Sequence, residues 1–232
     1  MNDSPTSLPA PAATGGRSRA NQDAALANRL NQYRTALTAA QGHAELVGLL
    51  EPRGYGAAAL AQGMGLCDAA QAGFNRRNDA LAGQQAALTA LQAADGAARR
   101  GFGDFRAIVR ALFGRDAAAL AALGATGRVS NDREQFLTAA SMAYAAALGN
   151  AGWAARLATR GYDQAVLQAE QAKLAALTQA AADHDAARAT AQQATAERDA
   201  AGQALDGWWG EFRAVARVAL KGRPALLGVL GM

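Results

Sequence analysis

The sequence predicts an all-α protein, an elongated antiparallel helical bundle of coiled-coil-like character built from a tandem duplication. Three observations carry this expectation. Hydrophobic residues make up 51% of the 232 positions, but much of that share is alanine and only 6% of residues are aromatic. Alanine is the strongest helix former and buries little area, and the shortage of β-branched and aromatic residues removes the usual material of sheets. The chain also aligns with itself without a gap when residues 30–124 are laid on 137–231, an offset of 107. Finally, Leu60, Cys67, Phe74, Leu81 and Leu88 recur at intervals of seven, and after Asp95 the same register resumes at Phe102 and Val109, which is the spacing of a helix seam.

With alanine matches set aside, the alignment rests on three clusters. The first is a turn, Arg53-Gly54-Tyr55 against Arg160-Gly161-Tyr162. The second is a Phe-Arg-Ala-x-x-Arg segment, with Phe105, Arg106 and Arg110 against Phe212, Arg213 and Arg217. The third is an end, Leu120-x-x-Leu123-Gly124 against Leu227-x-x-Leu230-Gly231. Spacing of this rigidity suits helices, where one inserted residue rotates every later side chain by about 100°. The organisation that follows is a tail over 1–21, a helical repeat over 22–124, a linker over 125–130 and a second repeat over 131–232. Pro, Gly, Ser and Ala dominate the tail, which offers nothing to bury and is expected to be disordered.

Within the first repeat, residues 22–51 carry helical periodicity and Pro52 closes that helix, since proline cannot continue the ladder. Gly54 fits the left-handed position after a helix end and Tyr55 folds back on the last turn. Gly161 and Tyr162 do the same in the second repeat, so all four are structural turn residues. Gly56 and Asp163 serve as N-caps of the next helix. The proline-free stretches 57–113 and 164–221 are either single long helices or fold back near Gly83 or Gly96, which correspond to Thr190 and Gln203. The lack of a Pro-Gly or Asn-Gly turn favours single helices. Short helices close each repeat, one after Asp116 and one at Pro224, where proline suits a first turn. In the linker, Ser130 with Glu134 offers capping chemistry for the helix that follows.

The pattern Leu-x-x-x-Gly-Tyr at Leu50 and Leu157, the run from Trp209 through Phe212, Arg213, Ala216 and Arg217 to Leu220, and the closing Leu-x-x-Leu-Gly resemble a group of uncharacterised bacterial helical proteins. The resemblance spans nearly all of the chain beyond the tail. It implies a duplicated helical architecture and brings with it no activity, cofactor or catalytic residue.

Composition excludes several function classes. No apolar run approaches the ~20 residues of a membrane span. The single cysteine, Cys67, allows no intrachain disulfide and sits on the apolar seam, so it is expected in the core. The N-terminus lacks the basic start and apolar stretch of a signal peptide, which makes the cytoplasm the expected location. Neither His43 nor His184 has a glutamate three residues before it, as a di-iron bundle requires, and they align with Asn150 and Arg77 rather than with each other. His43 is expected near a helix irregularity and His184 on a solvated face. No nucleophile elbow or phosphate loop is present; Gly63-Met64-Gly65 and Gly101-Phe102-Gly103 lie inside helical patterns and read as sites of close helix approach. No catalytic, cofactor-binding or metal-binding residue is expected, and the chain is not expected to be an enzyme.

Charge supplies the remaining candidates. The net charge is +4, and Lys plus Arg outnumber Asp plus Glu by ten to seven over 24–124 but only match them, ten to ten, over 131–231. Arg106 and Arg110, like Arg213 and Arg217, stand four apart and share a helix face, which Arg99 extends in the first repeat and Lys221 in the second. These six form a candidate basic interaction face. Trp208, aligned with Gly101, is a candidate anchor for a partner. The resulting expectation is a non-enzymatic helical scaffold or assembly protein that associates with itself or with another protein. The alternative is a binder of polyanions, nucleic acid or an anionic surface, through paired arginine faces.

Overall fold

The computed structural model describes residues 19–232, with side chains from residue 24 onward. Helices account for nearly all of it. They are α1 (Arg19–Gly42), α2 (Ala44–Leu50), α3 (Ala57–Phe113), α4 (Ala117–Ala122), α5 (Arg133–Gly149), α6 (Ala151–Ala158), α7 (Gln164–Ala219) and α8 (Pro224–Val229), with a 3-10 turn at Glu51–Arg53. Among the described residues there is no strand. The expected tail falls, as far as Ser18, outside the described residues, whereas Arg19–Asn21 already belong to α1.

Several local expectations are met by geometry. Both long stretches are continuous helices, with no fold-back at Gly83, Gly96, Thr190 or Gln203. Gly54 and Gly161 have φ of 86° and 82°. At each, the tyrosine amide donates back to a leucine in the last turn of the helix, Tyr55 N to Leu50 O and Tyr162 N to Leu157 O, both at 3.1 Å. This satisfies carbonyls that the helix end would otherwise orphan. Asp163 caps α7 through Val166 N at 2.9 Å, and Asp116 caps α4 through Ala119 N at 2.9 Å.

Two expectations are corrected. Residues 22–51 are not one helix: His43 is extended, with φ −114° and ψ 101°, and separates α1 from α2. Asn150 takes the same conformation between α5 and α6, and its side chain accepts from the amides of Gly152 and Trp153. Histidine makes no such cap, but the helix irregularity expected at His43 is present. The cap of α5 is Asp132, which accepts from Gln135 N at 2.9 Å, rather than Ser130 with Glu134. Ser130 instead accepts from Asp132 N and donates to Gln135 Oε1, two residues outside the cap.

The described residues divide into two compact units. Unit 1 takes α1, α2, α3 as far as Phe74, α7 from Arg198 onward, and α8. Unit 2 takes α3 from Asn75, α4, α5, α6 and α7 as far as Glu197. Each unit therefore draws on both halves of the chain. The core of unit 1 joins Leu37, Leu50, Leu60 and Cys67 to Leu205, Phe212, Leu220 and Leu230. That of unit 2 joins Tyr144, Leu157, Leu167 and Leu174 to Phe102, Phe105, Phe113 and Leu123. Each leucine or phenylalanine buried in this way contributes roughly 1.5–3 kcal/mol. Leu81 and Leu88, on the expected seam, are only half-buried.

The close approach of α3 to α7 depends on glycine in both units. A β-carbon on Gly63 would collide with the ring of Trp208, and one on Gly101 with the carboxylate of Glu170. At the offset of 107, Gly63 corresponds to Glu170 and Gly101 to Trp208. The same crossing is thus filled once by a tryptophan over glycine and once by a glutamate over glycine. Gly65 and Gly103 meet nothing of this kind.

No atom lies within 4 Å of a β-carbon built on Gly54 or Gly161, so any cost of a side chain there comes from the backbone alone. Gly54→Val and Gly161→Val should each lower stability by about 1–2 kcal/mol in thermal unfolding. Unchanged melting temperatures in both variants would contradict the left-handed turns.

Candidate functional site

The end of α3 in unit 2 carries Arg99, Arg106 and Arg110, and all three are committed to main chain. Arg106 is 6% exposed. Its Nε donates to Gly124 O at 2.6 Å, and its Nη2 donates to Thr126 O at 2.9 Å and Gly127 O at 2.7 Å. Arg110 Nε donates to Ala125 O at 2.9 Å. Arg99 donates to Asp95 at 2.8 Å, to Ser130 O at 2.7 Å and to Asn131 O at 3.1 Å, with its guanidinium 4.5 Å from the Phe136 ring centre. Burial, and then the neighbouring Arg110, pull the Arg106 guanidinium below its ordinary pKa.

The physical reason lies in the segment these arginines hold. Residues 124–131 leave α4 and run to α5 without a ladder of their own, so their carbonyls need donors. The segment is also packed: Ala125 is buried and Val129 rests against the unit 2 core. Arginine's fixed fork of donors lets one side chain serve several successive carbonyls. The sequence did not disclose this, because an arginine pair four apart on a helix reads the same whether it faces solvent or a strap of chain.

In unit 1 the corresponding residues are arranged differently. Arg213, Arg217 and Lys221 are exposed, and among the described residues none of their side chains makes a hydrogen bond or ion pair. Arg213 and Arg217 line a cleft of about 840 Å³ together with Arg29, Tyr33, Trp209 and Val229. Its floor is an aromatic stack, Tyr33 on Trp209 at 4.3 Å and 20°. Asp206 anchors the wall by accepting from Arg29 Nη1 at 2.9 Å and from Tyr33 Oη at 3.3 Å. Burial, followed by Asp206, raises the Tyr33 pKa. The six candidate cations therefore separate into three in unit 2 that hold chain and three in unit 1 that face solvent.

Trp208 is half-buried and spends its ring within unit 1, against Gly63, stacked on Phe212 at 5.3 Å and edge-on to Tyr55 at 5.7 Å. Gly54 and Gly161 form the turns described above, and the tyrosines beside them pack edge-on to phenylalanine: Tyr55 to Phe212 at 5.3 Å and Tyr162 to Phe105 at 5.6 Å. Cys67 is fully buried, and burial raises its thiol pKa, which keeps it protonated. Unit 2 also buries a polar group that sequence reasoning missed. Glu170 is 9% exposed and accepts from Lys173 Nζ at 2.6 Å, and burial followed by this carboxylate pushes the Tyr144 hydroxyl well above its usual pKa. No spacing in the sequence distinguishes Glu170 from a solvated glutamate.

Among the described residues no three His, Cys, Asp or Glu side chains gather in a way that could hold a metal ion, and no helix is long and apolar enough to cross a membrane. Replacing Arg106 with alanine should cost about 2–4 kcal/mol in chemical denaturation, because three carbonyls lose a charged donor. The matching Arg213→Ala should stay within about 0.5 kcal/mol of the parent, as surface changes do. Equal losses in both variants would contradict the different placements of the two arginines. No protein-family model, curated protein or solved structure matches the chain.

Proposed function

We propose that the chain is a non-enzymatic helical scaffold or interaction protein, derived by tandem duplication, that contacts other chains through unit 1. The observation that carries the reading is the end of α7. Arg213, Arg217 and Lys221 are exposed there beside Val218, which is 59% exposed. Cationic side chains with an apolar residue among them make a surface suited to protein contact. The duplication is supported by coincident boundaries at the offset of 107: α2 and α6 begin at Ala44 and Ala151, α3 and α7 at Ala57 and Gln164, α4 and α8 at Ala117 and Pro224. The likeness to bacterial helical proteins noted from the motifs fits the same reading, and a lone protonated cysteine suits a reducing cytoplasm.

Self-association is a second form of this function and would use unit 2 instead, where the exposed Met142, at 67%, offers apolar surface on α5. Polyanion binding, the alternative, rests on three solvent-facing cations where six were expected. Sedimentation at micromolar concentration should show a dimer or larger species, and replacing the half-buried Leu81 and Leu88 with lysine should either dissociate it or unfold the chain. A monomer at every concentration would remove self-association. Retention on heparin at low salt, abolished by Arg213→Glu with Arg217→Glu, would replace the protein-contact reading with the polyanion one.

A further inference from the structure

We propose that the two halves of the chain carry a pairing rule, set by a few positions at which they differ. The rule lets each half pack against the other and excludes packing against its own kind in a second copy. The inference deepens the interaction reading above, by defining which contacts between copies are open, and rests on the duplication which that reading includes. In each unit, elements of the first half meet elements of the second, and the central contact is the same in both. Tyr55 meets Phe212 as Tyr162 meets Phe105, so two first halves, or two second halves, would make the aromatic pair equally well. Exclusion therefore falls to the contacts that are not alike.

The glycines of close approach are one such set. Gly63, Gly73 and Gly101 all lie on α3, and each is met from α7. A β-carbon on Gly63 would lie 2.7 Å from Trp208 Cζ3, one on Gly73 3.2 Å from Arg198 Cα, and one on Gly101 2.9 Å from Glu170 Cδ. The matching positions on α7 hold Glu170, Ala180 and Trp208. The first half thus supplies the spaces, and the second supplies the side chains that fill them. At the same alignment, two first halves would set Gly63 against Gly101 and leave a void, which forfeits the packing of the ring. Two second halves would set Trp208 against Glu170, with no glycine to receive either. The charges point the same way. In unit 1 Arg29 bonds Asp206 at 2.9 Å, and in unit 2 the matching pair is Phe136 under the Arg99 guanidinium at 4.5 Å. Two first halves would bring Arg29 against Arg99, both cations, whereas two second halves would strand Asp206 on Phe136. Specificity needs such unfavourable alternatives as well as a favourable match.

Exchanging residues across both contacts erases the rule while keeping unlike halves complementary: Gly63→Trp with Trp208→Gly, and Arg29→Asp with Asp206→Arg. A bulky residue already faces glycine in this sense where Glu170 meets Gly101. The readout is a disulfide between Ala180→Cys and Arg198→Cys in a Cys67→Ala background, the positions at which two second halves would repeat the approach of Gly73 to Arg198. Both lie on α7, about 27 Å apart along the helix, so neither the folded chain nor an exchange of unlike halves joins them. Under mild oxidation the bridged dimer should be at least about tenfold more abundant in the combined variant than in the parent, since like charges set together cost that factor or more. In chemical denaturation, Gly63→Trp with Trp208→Gly should be more stable than Trp208→Gly alone. Equal bridging in parent and combined variant would overturn the pairing rule alone, leaving the duplication and the interaction reading, which sedimentation tests separately. An exchanged pair no more stable than Trp208→Gly alone would overturn both rule and duplication, because the matched positions would not be equivalent. Should the combined variant fail to fold, the half-exposed charge pair by itself, Arg29→Asp with Asp206→Arg, must still raise bridging above the parent, or the rule falls.

Discussion

Tyr55 packs edge-on against Phe212, and Tyr162 packs edge-on against Phe105. The tyrosine of each Arg-Gly-Tyr turn is met by the phenylalanine of the Phe-Arg-Ala segment from the other half of the chain. An aromatic pair of this geometry contributes about 0.5–1.5 kcal/mol beyond its buried area, but its larger effect is on register. With the tyrosine tied by the turn to the start of a long helix, and the phenylalanine near the end of the other, α3 and α7 can run antiparallel in one alignment within each unit. Gly63 under Trp208 and Gly101 under Glu170 then let the helices approach at that alignment. Neither half supplies both members of the pair, and each core is completed by residues from both.

The arginines show how equivalent residues acquire different roles. Arg106 and Arg213 occupy matching positions on matching helices, yet one is buried under three carbonyls and the other faces solvent. What differs is the neighbouring chain. In unit 2 a segment without secondary structure crosses the helix and presents acceptors, each of which would carry a desolvation penalty if buried without a donor. In unit 1 the same donors remain available at the surface. A helix surface that serves structure in one place can thus serve recognition in another with little change of sequence, which is the physical basis of the interaction reading.

Much of the fold was legible in the sequence. Alanine content and seven-residue spacing gave the helical class, Pro52 and Gly54 marked the first hairpin, and Asp116 and Pro224 marked the short closing helices. An irregularity at His43 was legible too, but not that it divides residues 22–51 into two helices, because histidine carries no capping signal. The partners of the repeated motifs were also hidden. A self-alignment shows that Arg-Gly-Tyr and Phe-Arg-Ala recur, but not that the two motifs touch, since contact between them joins different halves. Of the candidate site, the sequence identified the arginines by their spacing and could not separate those that hold carbonyls from those that face solvent.

The central claim is that the start of α3 packs in fixed register against the end of α7 within unit 1. A β-carbon placed on Gly73 lies 3.8 Å from the β-carbon of Arg198 and 3.2 Å from its Cα, so a small shift of the backbone brings the pair within the range that a disulfide spans. The direct measurement is oxidation of a Gly73→Cys, Arg198→Cys variant in a Cys67→Ala background, read by intact mass and by peptide mapping. The account predicts an intrachain disulfide between these two positions under mild oxidation. Two thiols that stay free and reactive, or that bridge only between chains, would contradict it.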